Sequence, residues 1–378
     1  MHLRQLRLTS CADVSLEALT EIAPNLIRIF AAPTFFADTT ITDWLGSAFP
    51  DARCVGLSTA GEISTDGVSE DSLVITAIRF EKIQFQIAQT DLATMEDSHA
   101  AGARLARQLR GEELKAVILL SQGINVNGSE VIAGAVSVLG PEIPLTGGLA
   151  GENGAFMHTW SLLDGRISDR MMLAIGLYGK AVDFAHGSFG GWHSFGPARQ
   201  ATRTTANVLF ELDGKPALDI YKNYLGDYAM DLPASGLLFP FALLSNDHEE
   251  SGLIRTLLAV NEADGSLTLA GDIPQGSYVR LMHASAEALI DGAEVAARAA
   301  KTMHQGSGTA LGLLVSCVGR KLVMGDRVDE EVEAVGTVLG HNCLLAGFYS
   351  NGEISPYLNT TECKLHNQTM TITYLSES

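Results

Sequence analysis

Apolar and polar positions alternate between two periods along the chain. Residues 14–23 (VSLEALTEIA) place apolar side chains every three or four positions, which predicts a helix. Residues 26–33 (LIRIFAAP) are apolar almost without interruption, which predicts a buried strand. A second helix is predicted around 41–49 (ITDWLGSAF), then a strand ending in 54–64 (CVGLSTAGEIS), then strands over 72–80 (SLVITAIRF) and 82–90 (KIQFQIAQT). The alternation returns as helix 98–109, strand 116–123 (AVILLSQG), helix 130–140, a Gly-rich turn at 144–154 (PLTGGLAGENG) and strand 171–179 (MMLAIGLYG). It returns once more as helix 286–303, strand 310–319 (ALGLLVSCVG), helix 329–340, the run 343–355 (CLLAGFYSNGEIS) and strand 369–375 (TMTITYL). Helices alternating with strands in this way predict an α/β fold with mixed sheets.

The order helix, strand, helix, strand, Gly-rich turn reads as an internal pseudo-repeat. Residues 56–64 (GLSTAGEIS) match 347–355 (GFYSNGEIS) without gaps at both glycines, the Glu, the Ile and the last Ser. In the middle copy only the Gly151-Glu152 pair is kept. A different region follows at about 180–278. It contains a predicted hairpin at 253–274, with Asp264-Gly265 as its turn. The Gly- and Pro-rich stretch 187–197 (GSFGGWHSFGP) marks a junction, giving two closely packed α/β parts, 1–196 and 197–378.

Composition narrows the function. The 378 residues are 46% hydrophobic, enough for a large core, and carry a formal net charge of −19. That charge repels phosphate backbones and anionic lipid, so neither nucleic acid nor a membrane is an expected partner. The N-terminus shows no apolar signal segment, and no run approaches the roughly 18 apolar residues of a bilayer span. Five cysteines (Cys11, Cys54, Cys317, Cys343, Cys363) with no CxxC pair suit a reducing cytoplasm. The CxxCH of covalent haem attachment is absent from the sequence.

Six strings, in order along the chain, resemble the FIST family of bacterial sensory proteins. They are CVGLSTAGEIS, PLTGGLAGENG, VLFELDGKPALDIYKNYLG, SCVGRKLVMGDR, GFYSNGEISP and LHNQTMTITYL. The resemblance covers nearly the whole chain, as an N-type domain over 1–196 and a C-type domain over 197–378. It implies an intracellular signal-transduction sensor that binds a small ligand and is not itself an enzyme. Some members consist of this module alone. These resemble haem-based nitric-oxide sensors that act on a partner histidine kinase in a two-component system.

Several residues are candidates for the ligand. Exposed N–H groups in Gly-rich turns can hold an anion, and Gly61 and Gly151 sit in such turns. Ser58, Thr59, Ser350 and Asn351 would add side-chain donors, and Glu62 and Glu353 can bind a ligand ammonium. Arg320, with Lys321 beside it, or Arg280 can clamp a carboxylate. The alternative for each is structural: turning the chain, bonding local backbone or forming a surface ion pair. For haem, the candidate axial ligand is His193 in GGWHSFGP, with Arg199 and Arg203 following and His366 as a second candidate. His186 and His341 read as exposed turn residues. Two rival functions stay open: an amino-acid or other metabolite sensor, and an enzyme of hydrolase or transferase type using Cys317 or Ser58. GLSTAG departs from the GxSxG elbow by one residue.

Overall fold

Three apolar runs of the sequence become the centres of three sheets. Leu26–Ala31 lies parallel to Arg53–Ser58, Leu114–Ser121 parallel to Leu145–Leu149, and Ala310–Cys317 parallel to Cys343–Ser350. Each parallel pair needs a crossover, which the helices Thr40–Ala48, Gly128–Leu139 and Val328–Leu339 supply. These relations come from a computed structural model that describes residues 1–10, 15–37, 40–154, 157–245, 247–356 and 362–378. Cys11 lies outside the described residues.

Each pair is extended on one side by two antiparallel strands. These are Leu73–Arg79 then His2–Leu8, Met171–Tyr178 then Gln84–Asp91, and Met370–Glu377 then Val182–Phe189. On the other side each sheet is finished by a hairpin from a different copy. The hairpin of copy one, Glu62–Ser64 with Gly67–Ser69, completes the third sheet. That of copy two, Ser161–Leu163 with Arg166–Ser168, completes the first. That of copy three, Gly352–Pro356 with Cys363–His366, completes the second. The predicted repeat is therefore present as three sheets of one strand order, joined by a cyclic exchange of hairpins.

The exchange gives the sheets a shared inner core. Phe30, Leu57, Ile118, Leu173, Leu313 and Phe348, drawn from all three sheets, belong to one buried cluster, with Phe30 and Phe348 rings 4.6 Å apart. Parallel strands buried on both faces leave little room between backbones and side chains. A Cβ at Gly347 would stand 1.9 Å from the Leu314 carbonyl oxygen, and one at Gly147 would stand 2.0 Å from that of Leu119. This close approach explains the glycines at those positions.

A fourth, eight-stranded sheet follows the 187–197 stretch. It runs through Glu250–Arg255, Phe241–Leu244, Tyr278–His283, His193–Thr205, Val208–Leu212, Ser266–Leu269 and Leu257–Asn261, with the short Lys215–Pro216 paired to Val208–Leu212 as the eighth strand. The hairpin at Asp264-Gly265 is formed, with Gly265 at φ +69°. Two expectations are corrected. The first helix covers only Glu17–Thr20. The strand predicted to end at Gly319 ends at Cys317, and Val318–Met324 is a helix. Among the described residues, no helix is long and apolar enough to cross a membrane.

Candidate functional site

The Gly-rich turns close on one another rather than on an open pocket. Thr59 donates its hydroxyl to Glu62, whose other oxygen accepts the Ser72 amide at 3.2 Å and the Ser72 hydroxyl at 2.6 Å. The third copy repeats the arrangement. Ser350 donates to Glu353 at 2.7 Å, and the Thr369 amide and hydroxyl donate to its second oxygen at 3.1 and 3.0 Å. Each carboxylate thus ties its turn to the start of the next strand. Burial pushes the Glu62 carboxyl up to about 7 and that of Glu353 up to about 8, against the downward pull of these hydrogen bonds.

Strand register decides the equivalences. Ile63 faces Gly347, Ile354 faces Gly147 and Leu162 faces Gly56, so Glu62, Glu353 and Ser161 occupy the same place. The Gly151-Glu152 pair read from the sequence as the middle copy is out of phase with the other two. Gly151 serves close approach instead: a Cβ there would lie 2.7 Å from both the Ala60 nitrogen and the Tyr349 oxygen. Ser58 donates to the Gly151 carbonyl at 2.9 Å and accepts the Trp160 amide at 2.8 Å. Gly61 holds φ +139°. Asn351 donates to Glu152 at 2.8 Å.

Arg320 is fully buried with its donors in use. It pairs with Glu331 at 2.7 Å, donates to the Leu289 carbonyl at 2.7 Å and donates to the Gly190 carbonyl. Glu331 also accepts Ser316 and the Tyr349 hydroxyl. Sequence reasoning missed Glu331, because in DEEVEAVG it reads as one more exposed helix charge. Lys321 donates to the Ala60 carbonyl and to Asn153, both in the turns.

These groups stand behind the wall of a cavity of about 250 Å³. Its wall comes from the 187–197 stretch (Gly190, Gly191, Trp192), from Ile254 and Met282 of the eight-stranded sheet, and from His366 and Thr369. Three sheets converge there. Trp192 is held by its indole N–H, which donates to the Gln368 carbonyl at 2.8 Å. Arg320 supports the Gly190 carbonyl from behind, and Glu353 holds Thr369 from behind. Among the described residues Glu250 is the one carboxylate in the wall, at its exposed edge. The surface is therefore largely apolar and aromatic with an acidic rim, which suits a small ligand with an apolar body and a cationic or donor group.

The residues present do not fit haem at this cavity. His193 is exposed, its ring 6.4 Å from that of His283, and it is not part of the wall. His366 is in the wall, but its Nε2 lies 3.1 Å from the Ser355 carbonyl and burial pushes it down to about 4. Among the described residues no Lys or Arg lines the wall to meet propionates. Arg199 is paired with Asp213 and Arg203 with Glu211, and Arg280 is half-buried on Tyr278–His283. His186, read as an exposed turn residue, is buried on Val182–Phe189. His341 is exposed. Among the described residues no group of His, Cys, Asp and Glu is placed to hold a metal ion. The Cys317 thiol is buried, and burial pushes it up, away from a reactive thiolate.

Two family models match the chain: the FIST N domain over residues 25–215 and the FIST C domain over residues 217–356. No curated protein matches significantly. Among solved structures, a cyanuric acid hydrolase from A. caulinodans is similar over 99% of this chain and 98% of that one, at 10% identity and a TM-score of 0.38.

Proposed function

The chain belongs to the FIST family, whose domains are signal-transduction sensors for small ligands, and from that premise we propose that the Trp192 cavity is its sensing site. The observation that carries this reading is the convergence of three sheets on one apolar cavity of about 250 Å³. That volume lies just below the roughly 300–1,000 Å³ of drug-sized sites, so the ligand is small. Its apolar part packs on Trp192, Ile254 and Met282, and a cationic or donor group meets Glu250.

A ligand there touches the same structure that joins the sheets. Thr369 lines the cavity and holds Glu353, and Gly190 lines it and accepts from Arg320. Occupancy that favours one arrangement of these bonds shifts the population of conformers, and a signalling partner, such as a histidine kinase, reads the shift. Haem forms no part of this reading.

The test is a thermal-shift screen of small amines, amino acids and apolar metabolites on the full chain, beside Trp192→Ala and Trp192→Phe. A native-state ligand raises the melting temperature. The expected result is a compound whose effect is lost in Trp192→Ala and retained in Trp192→Phe. A screen in which no stabilising compound loses its effect in Trp192→Ala would overturn the reading.

A further inference from the structure

Among the described residues three arginines are buried, and two of them have partners. Arg320 meets Glu331 and two carbonyls. Arg255 donates Nε to the Asp272 carbonyl and Nη1 to the Ile254 carbonyl, both at 3.0 Å. The third, Arg28, is 2% exposed. Its Nε and Nη2 are buried without a hydrogen bond, and among the described residues no carboxylate is paired with it.

Arg28 stands where the repeat otherwise carries an apolar side chain. On the central parallel pair of the first sheet it lies beside Val55, which precedes Gly56. The same places in copies two and three hold Ile118 beside Thr146, before Gly147, and Leu313 beside Ala346, before Gly347. Ile118 and Leu313 belong to the shared inner core. Strand alternation turns Arg28 to the same side as Leu26 and Phe30, which belong to it too. A guanidinium therefore enters the region where the three sheets meet.

Burial pushes that guanidinium down to about 9, so it keeps its charge at neutral pH. A charge taken out of water without a partner is strongly destabilising. Phe30 covers one face, with Arg28 Cζ 5.1 Å from the ring centroid, which offsets part of the cost. The ring leaves the in-plane N–H groups unserved. Nε and Nη2 share one edge of the guanidinium, so the two unpartnered donors form a single fork. Thr76 lies directly opposite Arg28 on Leu73–Arg79 and puts a hydroxyl on the same face. That hydroxyl accepts from Gln5 Nε2 at 3.4 Å, so its own O–H adds a third donor.

We propose that the Arg28 fork binds one small monovalent inorganic anion inside the core, a planar oxyanion of the nitrate class or a halide. The anion accepts from Nε and Nη2 and neutralises the guanidinium. One guanidinium balances one negative charge, so a divalent anion such as sulfate would leave a buried surplus. Arg28 is not part of the wall of the Trp192 cavity, so this site is independent of the sensing reading.

The test is urea unfolding of the full chain in sodium nitrate, sodium bromide and sodium sulfate, each balanced with sodium gluconate to constant ionic strength. Above the dissociation constant of a single bound anion, each tenfold rise in its concentration is expected to lower the unfolding equilibrium constant about tenfold. Nitrate or bromide should show this slope and sulfate should not, which reverses the general salt ranking, where sulfate stabilises. Arg28→Leu, which carries the side chain of Leu313, is expected to lose the slope. If that variant does not fold by circular dichroism, crystal structures of the parent grown in nitrate and in bromide decide. Density for the anion against Nε and Nη2 supports the proposal, and protein contacts alone at both nitrogens overturn it. A parent without a slope in either salt, or a slope retained in Arg28→Leu, also overturns it.

Discussion

Arg320 and Glu331 form an ion pair at 2.7 Å with neither side chain exposed to solvent. The pair also anchors Tyr349 and Ser316 on the acid side and the Gly190 and Leu289 carbonyls on the basic side. Removing one member strands the other in a dry interior, which costs about 3–5 kcal/mol. Arg320→Met is expected to lower unfolding stability by that amount in urea titrations. Adding Glu331→Gln to it should recover part of the loss. A single-variant loss below ~1 kcal/mol, typical of exposed pairs, would show the pair to be dispensable.

Glu353 predicts a pH dependence. Its carboxyl is raised by burial from 4.5 to about 8, so the folded state holds the proton more tightly than the unfolded chain does. The stability it contributes is full below pH 4.5 and is lost as pH rises towards about 8. Glu62 acts in the same direction, from 4.5 to about 7. Glu353→Gln keeps the shape without the charge. Relative to the parent, it is expected to gain stability on the order of 4 kcal/mol between the acid and alkaline ends of that window. Urea midpoints across the window, parent beside variant, make the measurement; parallel curves would sink the assignment.

Two glycines give opposite expectations. Gly347→Ala forces a Cβ to 1.9 Å from a backbone oxygen inside the shared core. Backbone must move, so the loss is expected at or above the upper end of the ~1–3 kcal/mol typical of overpacking. Gly46 lies exposed in the helix Thr40–Ala48 with nothing within 4 Å of an added Cβ. Gly46→Ala is expected to stabilise by roughly 0.5–1 kcal/mol. Chemical denaturation of both variants checks the pair, and a destabilising Gly46→Ala would contradict the account.

The elements that periodicity specifies strongly were legible. Helices Ser98–Leu109 and Ala286–Met303 begin and end where the apolar spacing does. Val318–Met324 was missed because it is shorter than two turns and follows an apolar strand without a break. The repeat was visible in GLSTAGEIS and GFYSNGEIS, but the exchange of hairpins was not. Which sheet receives a hairpin depends on packing between copies, and local sequence carries no trace of it. The candidate site was legible in part. The strings GSFGGWHSFGP and LHNQTM do meet at one cavity, through Trp192 and His366. Trp192 is buried just ahead of the strand His193–Thr205, while His193, the first residue of that strand, is exposed. The Glu62 and Glu353 carboxylates looked available in the sequence because their partners, Ser72 and Thr369, lie ten and sixteen residues further on.

The exposure of His193 leads to a last prediction. A haem axial histidine must present a free ring nitrogen inside an apolar pocket, with cations near the propionates. His193 is exposed on its strand beside His283, and Arg199 and Arg203 are engaged with Asp213 and Glu211. Haem titrated into the purified protein is therefore expected to give the same absorption spectrum for the parent and for His193→Ala. Any weak Soret band common to both would reflect surface association. A Soret band in the parent that shifts with nitric oxide and disappears in His193→Ala would overturn this expectation. It would also require the 187–197 stretch to rearrange, because His193 is exposed and outside the cavity wall that Trp192 lines.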